Sequence, residues 1–292
     1  MADLPCTDVV PTPVGAAYLT APLRDLAAWT RYFRETEIPV LATTAAALET
    51  LRAMEDDVDA GMLSAVIQRD PLMTLKLMAY VASKRRAGVS TDTETITSSL
   101  LMMGIAPFFR NFGLQPTVED RLQDQPLALE GLRNLLKRAE RAGNFALGFA
   151  VHRADLDASV IQLAAFLHDF AEMLMWCHAP TLELEIQAAQ HANPALRTAS
   201  IQRSVLNIEI NDLRQSLMEL CRLPELLVHI SDGRHLAHAN VRNVVLAVRL
   251  ARHTQHGWDN AGLPDDINDI SELLNASPRV TLAFLHKIDN SM

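Results

Sequence analysis

Apolar residues along the chain recur at intervals of three and four, the spacing of one helix face. After an irregular arm over residues 1–22, marked by Pro5, Pro11, Pro13, Gly15 and Pro22, "LRDLAAWTRYFR" (Leu23–Arg34) predicts a first amphipathic helix. Pro39 breaks it, and Thr43 or Thr44 is placed to cap the next helix, which carries Leu48 and Leu51 on one face. "DAGMLSAVIQRDPLMTLKLMAYVAS" divides into two short helices. Met62, Leu63, Val66 and Ile67 form the stripe of the first, and Leu72, Leu75 and Met78 or Ala79 that of the second. Between them Asp70-Pro71 is a start signal, since Asp caps free amides and Pro suits the first helical position.

Further on, "TITSSLLMMG" predicts a helix closed by Gly104, then a short helical piece and a loop at Pro116. A long helix is expected from Leu127 to about His152, a break at Asp155 and Asp157, and another helix to about His178. "CRLPELLVHI" and "VRNVVLAVRLARH" continue the pattern. "LPDDINDISELLNASPRVTLAFLHKI" then gives two short C-terminal helices, the second opened by Ser277-Pro278. No internal repeat or long low-complexity linker interrupts the chain.

Composition strengthens the helical pattern. Of 292 residues, 49% are apolar but only 5% aromatic, with Ala, Leu and Met plentiful, which points to an all-α protein. The net charge of −9 and the lack of a basic face argue against nucleic acid as a partner. The sharpest basic cluster, "KRRAG" at 84–88, is expected to be a solvated helix end. The two short helices around Asp70 have the spacing of a helix-turn-helix, but the second offers too few basic or amide side chains to read bases. Cys6, Cys177 and Cys221 form no CxxC pair, which suits a reducing compartment. The N-terminus lacks the features of a secretory signal and no uninterrupted apolar run reaches membrane-spanning length, so a cytoplasmic protein without a membrane partner is expected.

Five segments occur in an order and spacing that resemble the HDOD family, over about residues 36–255: "IPVLATTAAALETLRAM", "LSAVIQRDPLMTLKLMAYVAS", "TSSLLMMGIAPFFRNF", "LAAFLHDFAEMLMW" and "LCRLPELLVHI". Arg69-Asp70-Pro71 is the best local marker, and Leu223-Pro224 belongs to the last motif; both are expected to be structural. The family's "ANS" is matched only loosely by Val81-Ala82-Ser83. The resemblance implies an all-α, two-lobed domain related to the HD phosphohydrolases but regulatory rather than enzymatic. Such domains often accompany cyclic-dinucleotide enzymes or receiver domains of bacterial signalling pathways. The expected layout is an N-terminal lobe at 23–116, an HD-like bundle at 117–256 and an extension at 257–292.

His168-Asp169 matches the dipeptide that gives HD hydrolases two metal ligands, yet a working site needs further imidazole or carboxylate ligands and an open position for water. Aligned on the pair, the upstream His falls at Ala139, a later ligand near Ile210, the tandem histidines near Gly233-Arg234 and the late Asp near Val248. His152 is the nearest upstream histidine, several turns from the expected place. Where hydrolases commonly carry a Lys after the pair, Phe170-Ala171-Glu172 brings an anion that would repel phosphate. The pair is therefore expected to be a structural remnant, hydrogen-bonded to a neighbouring helix, with no catalytic residue, no metal and no cofactor.

His235-x-x-His238 and His253-x-x-His256 have workable ligand spacing, but without a carboxylate at clear spacing they are expected to be surface histidines. Walker, G-x-G-x-x-G, G-x-S-x-G and HExxH motifs are missing. Cys177, beside His178, suits a buried small hydrophobe, and Met102-Met103 and Met173-Met175 suit core filler. The expectation is a non-catalytic bacterial signalling protein that works through protein contacts, with cyclic-dinucleotide enzymes or response regulators as partners. The alternatives are a divergent metal-dependent phosphohydrolase and a sensor that binds a nucleotide without hydrolysing it.

Overall fold

The computed structural model describes residues 17–84, 95–193 and 196–290; no strand occurs among them, and the chain is all-α. Residues 1–16, with Cys6 and most of the arm, and residues 85–88 of the basic cluster lie outside that range. In chain order the helices are α1 (Leu26–Glu35), α2 (Ala42–Arg52), α3 (Ala60–Ile67), α4 (Pro71–Lys84), α5 (Ile96–Met103) and α6 (Ile105–Asn111). They continue as α7 (Val118–Arg121), α8 (Pro126–His152), α9 (Ala158–Phe166), α10 (Phe170–His178), α11 (Pro180–Ala192) and α12 (Thr198–Leu206). The last are α13 (Ile210–Leu220), α14 (Glu225–Ser231), α15 (Ala239–His253), α16 (Leu263–Leu274) and α17 (Pro278–Asp289).

Packing divides the chain discontinuously. One unit takes residues 1–133 and 170–223; the other takes 134–169 and 224–292. The division falls inside α8 and again just after Asp169.

In the first unit, α2 to α6 enclose Leu48, Leu63, Ile67, Met73, Leu77, Leu100, Phe108 and Phe112, all nearly or fully removed from solvent. Helix α4 is buried round most of its circumference rather than on one stripe, which leaves it no free face to lay in a DNA groove. Gly104, with φ of 85°, ends α5 and turns the chain into α6, a conformation that L side chains rarely adopt. In the second unit α15 packs on α9, α14 and α16, and α17 packs on α16. Arg141 of α8 fastens two of these elements: its guanidinium donates to the Thr254 carbonyl and hydroxyl, both at 2.9 Å, and to both Asp289 oxygens, at 2.9 and 3.0 Å.

Several expectations need correction. Neither Thr43 nor Thr44 caps α2, whose N-cap residue is Leu41 with no capping side chain of its own. Remote carboxylates do the work: Leu41 N–H donates to Asp70 Oδ2 at 2.8 Å and Ala42 N–H to Glu119 Oε2 at 2.9 Å. Thr44 is instead buried and hydrogen-bonds to Asp70. Ser277 stands at the N-cap of α17 without a side-chain cap bond. Met62 and Met102 are 37% and 48% exposed, so they point away from the core, whereas Met173 and Met175 are fully buried. The helix expected through to His178 is broken by a turn at Leu167–Asp169 into α9 and α10. Together these form a 21-residue stretch, Ala158–His178, apolar and long enough by composition to cross a membrane although Asp169 and Glu172 interrupt it; 83% of its most apolar window is buried, as in a core. Residues 179–220, for which the pattern drew no elements, form α11, α12 and α13.

Candidate functional site

Asp70 shows how the Arg69-Asp70-Pro71 marker is used. Its side chain is completely buried, and its Oδ1 accepts from the Leu72 and Met73 amides at 2.9 and 3.0 Å, the first turn of its own helix. The other oxygen holds Leu41 at the start of α2, so one carboxylate fixes two helix N-termini. Burial pushes its pKa up, opposed by the amides of Leu41, Met73 and Leu72 and by the Thr44 side chain. Pro71 occupies the first helical position and is itself buried. Close by, Lys76 is half-buried and pairs with Glu37, and it donates to the Ile38 carbonyl at 3.1 Å and Gln115 Oε1 at 2.7 Å. Burial pulls the Lys76 pKa down, with the Glu37 carboxylate opposing.

His168 and Asp169 lie in the turn between α9 and α10. His168 Nδ1 is 2.7 Å from Asp169 Oδ1, which sets it as the donor to an ionised carboxylate. The second carboxylate oxygen is taken by Arg138 of α8, whose Nε and Nη2 donate at 3.2 and 2.9 Å. Arg252 of α15 stands 4.0 Å from Oδ1. Burial alone would raise the Asp169 pKa; Arg138, His168 and Arg252 overcome it and hold the carboxyl well below the usual range. The pair does bond to a neighbouring helix, as expected of a structural remnant, and the bond is a charged one.

Arg138 is adjacent to Ala139, the place expected for an upstream histidine ligand, and Ala139 is buried with nothing to coordinate. Ile210 and Val248 are buried apolar side chains, and Gly233-Arg234 lies in a short 3-10 turn. His152 is spent elsewhere, with Nε2 at 3.2 Å from the Leu274 carbonyl. A metal ion does not fit this arrangement. A cation bound to Asp169 would meet the charge of the Arg138 guanidinium on one oxygen and would share the other with the His168 imidazole. Among the described residues no group of three or more His, Cys, Asp or Glu side chains is arranged to hold an ion.

The HDOD domain profile matches residues 38–236, well over half of the chain. The chain belongs to the HDOD family. Its solved relatives share the fold at low identity. The MmoQ response regulator of Methylococcus capsulatus is 18% identical, with a TM-score of 0.58 over 82% of this chain and 98% of that one. A virulence factor of Campylobacter jejuni is 15% identical, with a TM-score of 0.61 over 86% of this chain and 89% of that one. No curated protein matches.

Within this HDOD chain, the two motif prolines play different parts. Pro71 opens α4, while Pro224 precedes α14 as its N-cap residue, after the buried Leu223. Sequence reasoning missed Arg138, because an arginine in "LLKRAERAG" looks like any solvated charge until α8 is placed beside Asp169. It also missed the carboxylates beside two histidines. His253 Nδ1 lies 2.6 Å from the buried Asp266, and His235 Nε2 lies 3.4 Å from Asp232, so His253 is anchored rather than a free surface residue. Cys177 is fully buried, and burial pushes its thiol up to about 12, far from the thiolate a nucleophile needs.

Proposed function

We propose that this HDOD chain is a non-catalytic regulator of a bacterial signalling pathway, cytoplasmic and acting through protein contacts. The observation that carries the reading is the Asp169 carboxylate, bound on one oxygen by the Arg138 guanidinium and on the other by His168. In a hydrolytic centre that carboxylate would bind a metal, and the metal would activate water. Here a fixed organic cation supplies the countercharge, and a guanidinium has no open coordination position for water. Likeness in fold to a protein described as a response regulator supports a place in signal transduction. The proposed partners are cyclic-dinucleotide enzymes or response regulators of the same cell.

The test is affinity capture on the immobilised full chain followed by mass spectrometry. It is run beside an Asp70→Ala variant whose first unit is loosened. We expect specific recovery of a signalling enzyme or receiver-domain protein by the wild type. Repeated capture of nothing specific, together with phosphodiesterase activity lost in Asp169→Asn, would overturn the proposal in favour of an enzyme.

A further inference from the structure

Helix α1 is held on the first unit by Trp29 and Phe33: both side chains are buried, and Trp29 Nε1 donates to the Leu206 carbonyl at 3.0 Å. Its neighbouring face, with Leu26, Thr30, Arg31 and Arg34, lines a cleft of about 520 Å³ together with Ser216 and Leu220 of α13. The two helices pack directly on each other, so the cleft belongs to one unit. Thr30 and Ser216 join the two walls, with their hydroxyl oxygens 3.0 Å apart.

Two arginines give this cleft its chemistry. Arg31 and Arg34 are neighbours on one side of α1, where like charges repel. The helix dipole favours a basic residue in the last turn, which is Arg34, but it does not account for a second cation further back. Among the described residues Arg31 has no hydrogen bond or ion pair. Arg34 has a weak one, from Nη2 to Glu35 Oε1 at 3.3 Å, and that carboxylate is 60% exposed and does not line the cleft. The Arg34 Nε is buried without a hydrogen-bond partner. A buried donor left unpaired is costly, so Arg34 gains by turning its guanidinium to an acceptor in the cleft.

The hydroxyl pair adds a second requirement. A hydroxyl has one hydrogen, and Thr30 gives its own to the Leu26 carbonyl at 2.8 Å. Ser216 then donates to Thr30, which leaves Ser216 Oγ with lone pairs but no hydrogen to offer. The α13 side of the cleft therefore accepts, while the arginines on the α1 side donate. Leu26 and Leu220 supply apolar lining between them. The volume lies within the range of small-molecule sites and is far more than an inorganic phosphate would fill.

We propose that the cleft between α1 and α13 binds a small phosphate monoester with a hydroxyl-bearing body, the chemistry shared by nucleoside monophosphates and sugar phosphates. Arg31 and Arg34 take the phosphate oxygens, since each guanidinium is a planar fork suited to them and two of them match a doubly charged phosphate. A hydroxyl of the ligand donates to Ser216 Oγ, and the rest of its body lies on Leu26 and Leu220. The site gives the chain a small-molecule input apart from His168-Asp169, and it stands whether or not the proposed protein partners are found.

Isothermal titration of the full chain with AMP and with ribose phosphate tests this, with adenosine, ribose and inorganic phosphate as controls. One equivalent of at least one organic phosphate is expected to bind, the tighter of the two naming the source, while adenosine and ribose should not bind. An Arg31→Gln/Arg34→Gln double variant should bind about a hundredfold more weakly, roughly tenfold for each guanidinium. Ser216→Ala should weaken the organic phosphate about threefold to tenfold and leave any binding of inorganic phosphate unchanged. Circular dichroism checks that the variants are folded. Three results would overturn the site: no binding of either organic phosphate at millimolar concentration, equal affinity in the wild type and the double variant, or binding of adenosine or ribose as tight as that of its phosphate.

Discussion

A carboxylate removed entirely from water is tolerable only when the protein itself solvates the charge, and at Asp70 three backbone amides and the Thr44 side chain do so. Asp70→Ala strips the cap from α4 and leaves the Leu41 amide without its acceptor. Urea unfolding should report a loss of about 2–4 kcal/mol. A change within about 0.5 kcal/mol, the range of an ordinary surface substitution, would contradict the role given to this carboxylate. The motif was legible as a helix start from Asp-Pro alone. Its second bond, to a helix 29 residues earlier in the chain, was not, because nothing in local spacing encodes a long-range acceptor.

His178 makes a second residue-scale test. It is buried against the rings of Tyr32 and Phe33, with centroids 6.1 and 5.9 Å away. Burial, with the Arg121 charge adding to it, pulls its pKa down to about 3, against about 6.5 for an unfolded histidine. The folded state thus resists a proton that the unfolded state accepts. Its stabilising effect is complete above about pH 6.5 and is lost as pH falls towards the folded value, at roughly 1.4 kcal/mol per pH unit. His178→Phe should flatten the stability profile between about pH 6.5 and 4.5. A profile as steep as that of the wild type would show that His178 does not carry this dependence.

At the scale of elements, periodicity predicted helices well wherever the stripe was amphipathic, as in α8, expected from Leu127 to about His152 and observed from Pro126 to His152. It failed where burial is nearly complete. Along Ala158–His178 apolar residues occupy all sides, so the pattern carries no phase and the turn at the His-Asp pair left no mark in it. That turn carries Asp169 to Arg138 of α8, and the bond between them ties two elements of one unit. Breaking a buried pair from one side leaves an uncompensated charge. Arg138→Ala should cost about 3–5 kcal/mol, and the loss in Arg138→Ala/Asp169→Ala should fall well below the sum of the two single losses. Thermal or urea unfolding of the four proteins gives the coupling. Additive losses would mean that the two side chains do not depend on each other.

On the scale of the whole molecule, family and fold class were readable from five motifs in order and from an Ala- and Leu-rich composition. The arrangement of the two units was not, since each is assembled from two separated stretches of chain and a linear reading has no register for such a return. The candidate site was legible in one sense: the missing ligand at Ala139 is visible in the sequence. Its replacement by a guanidinium one residue away depends on how α8 faces the turn. We propose that Arg138 stands in the place of a metal at His168-Asp169 and that the chain regulates rather than hydrolyses. The most direct test is the metal content of untagged protein purified without chelator, compared with that of His168→Ala. The same metal content is expected in both. An equivalent of manganese, iron or zinc present in the wild type and lost in His168→Ala would contradict it.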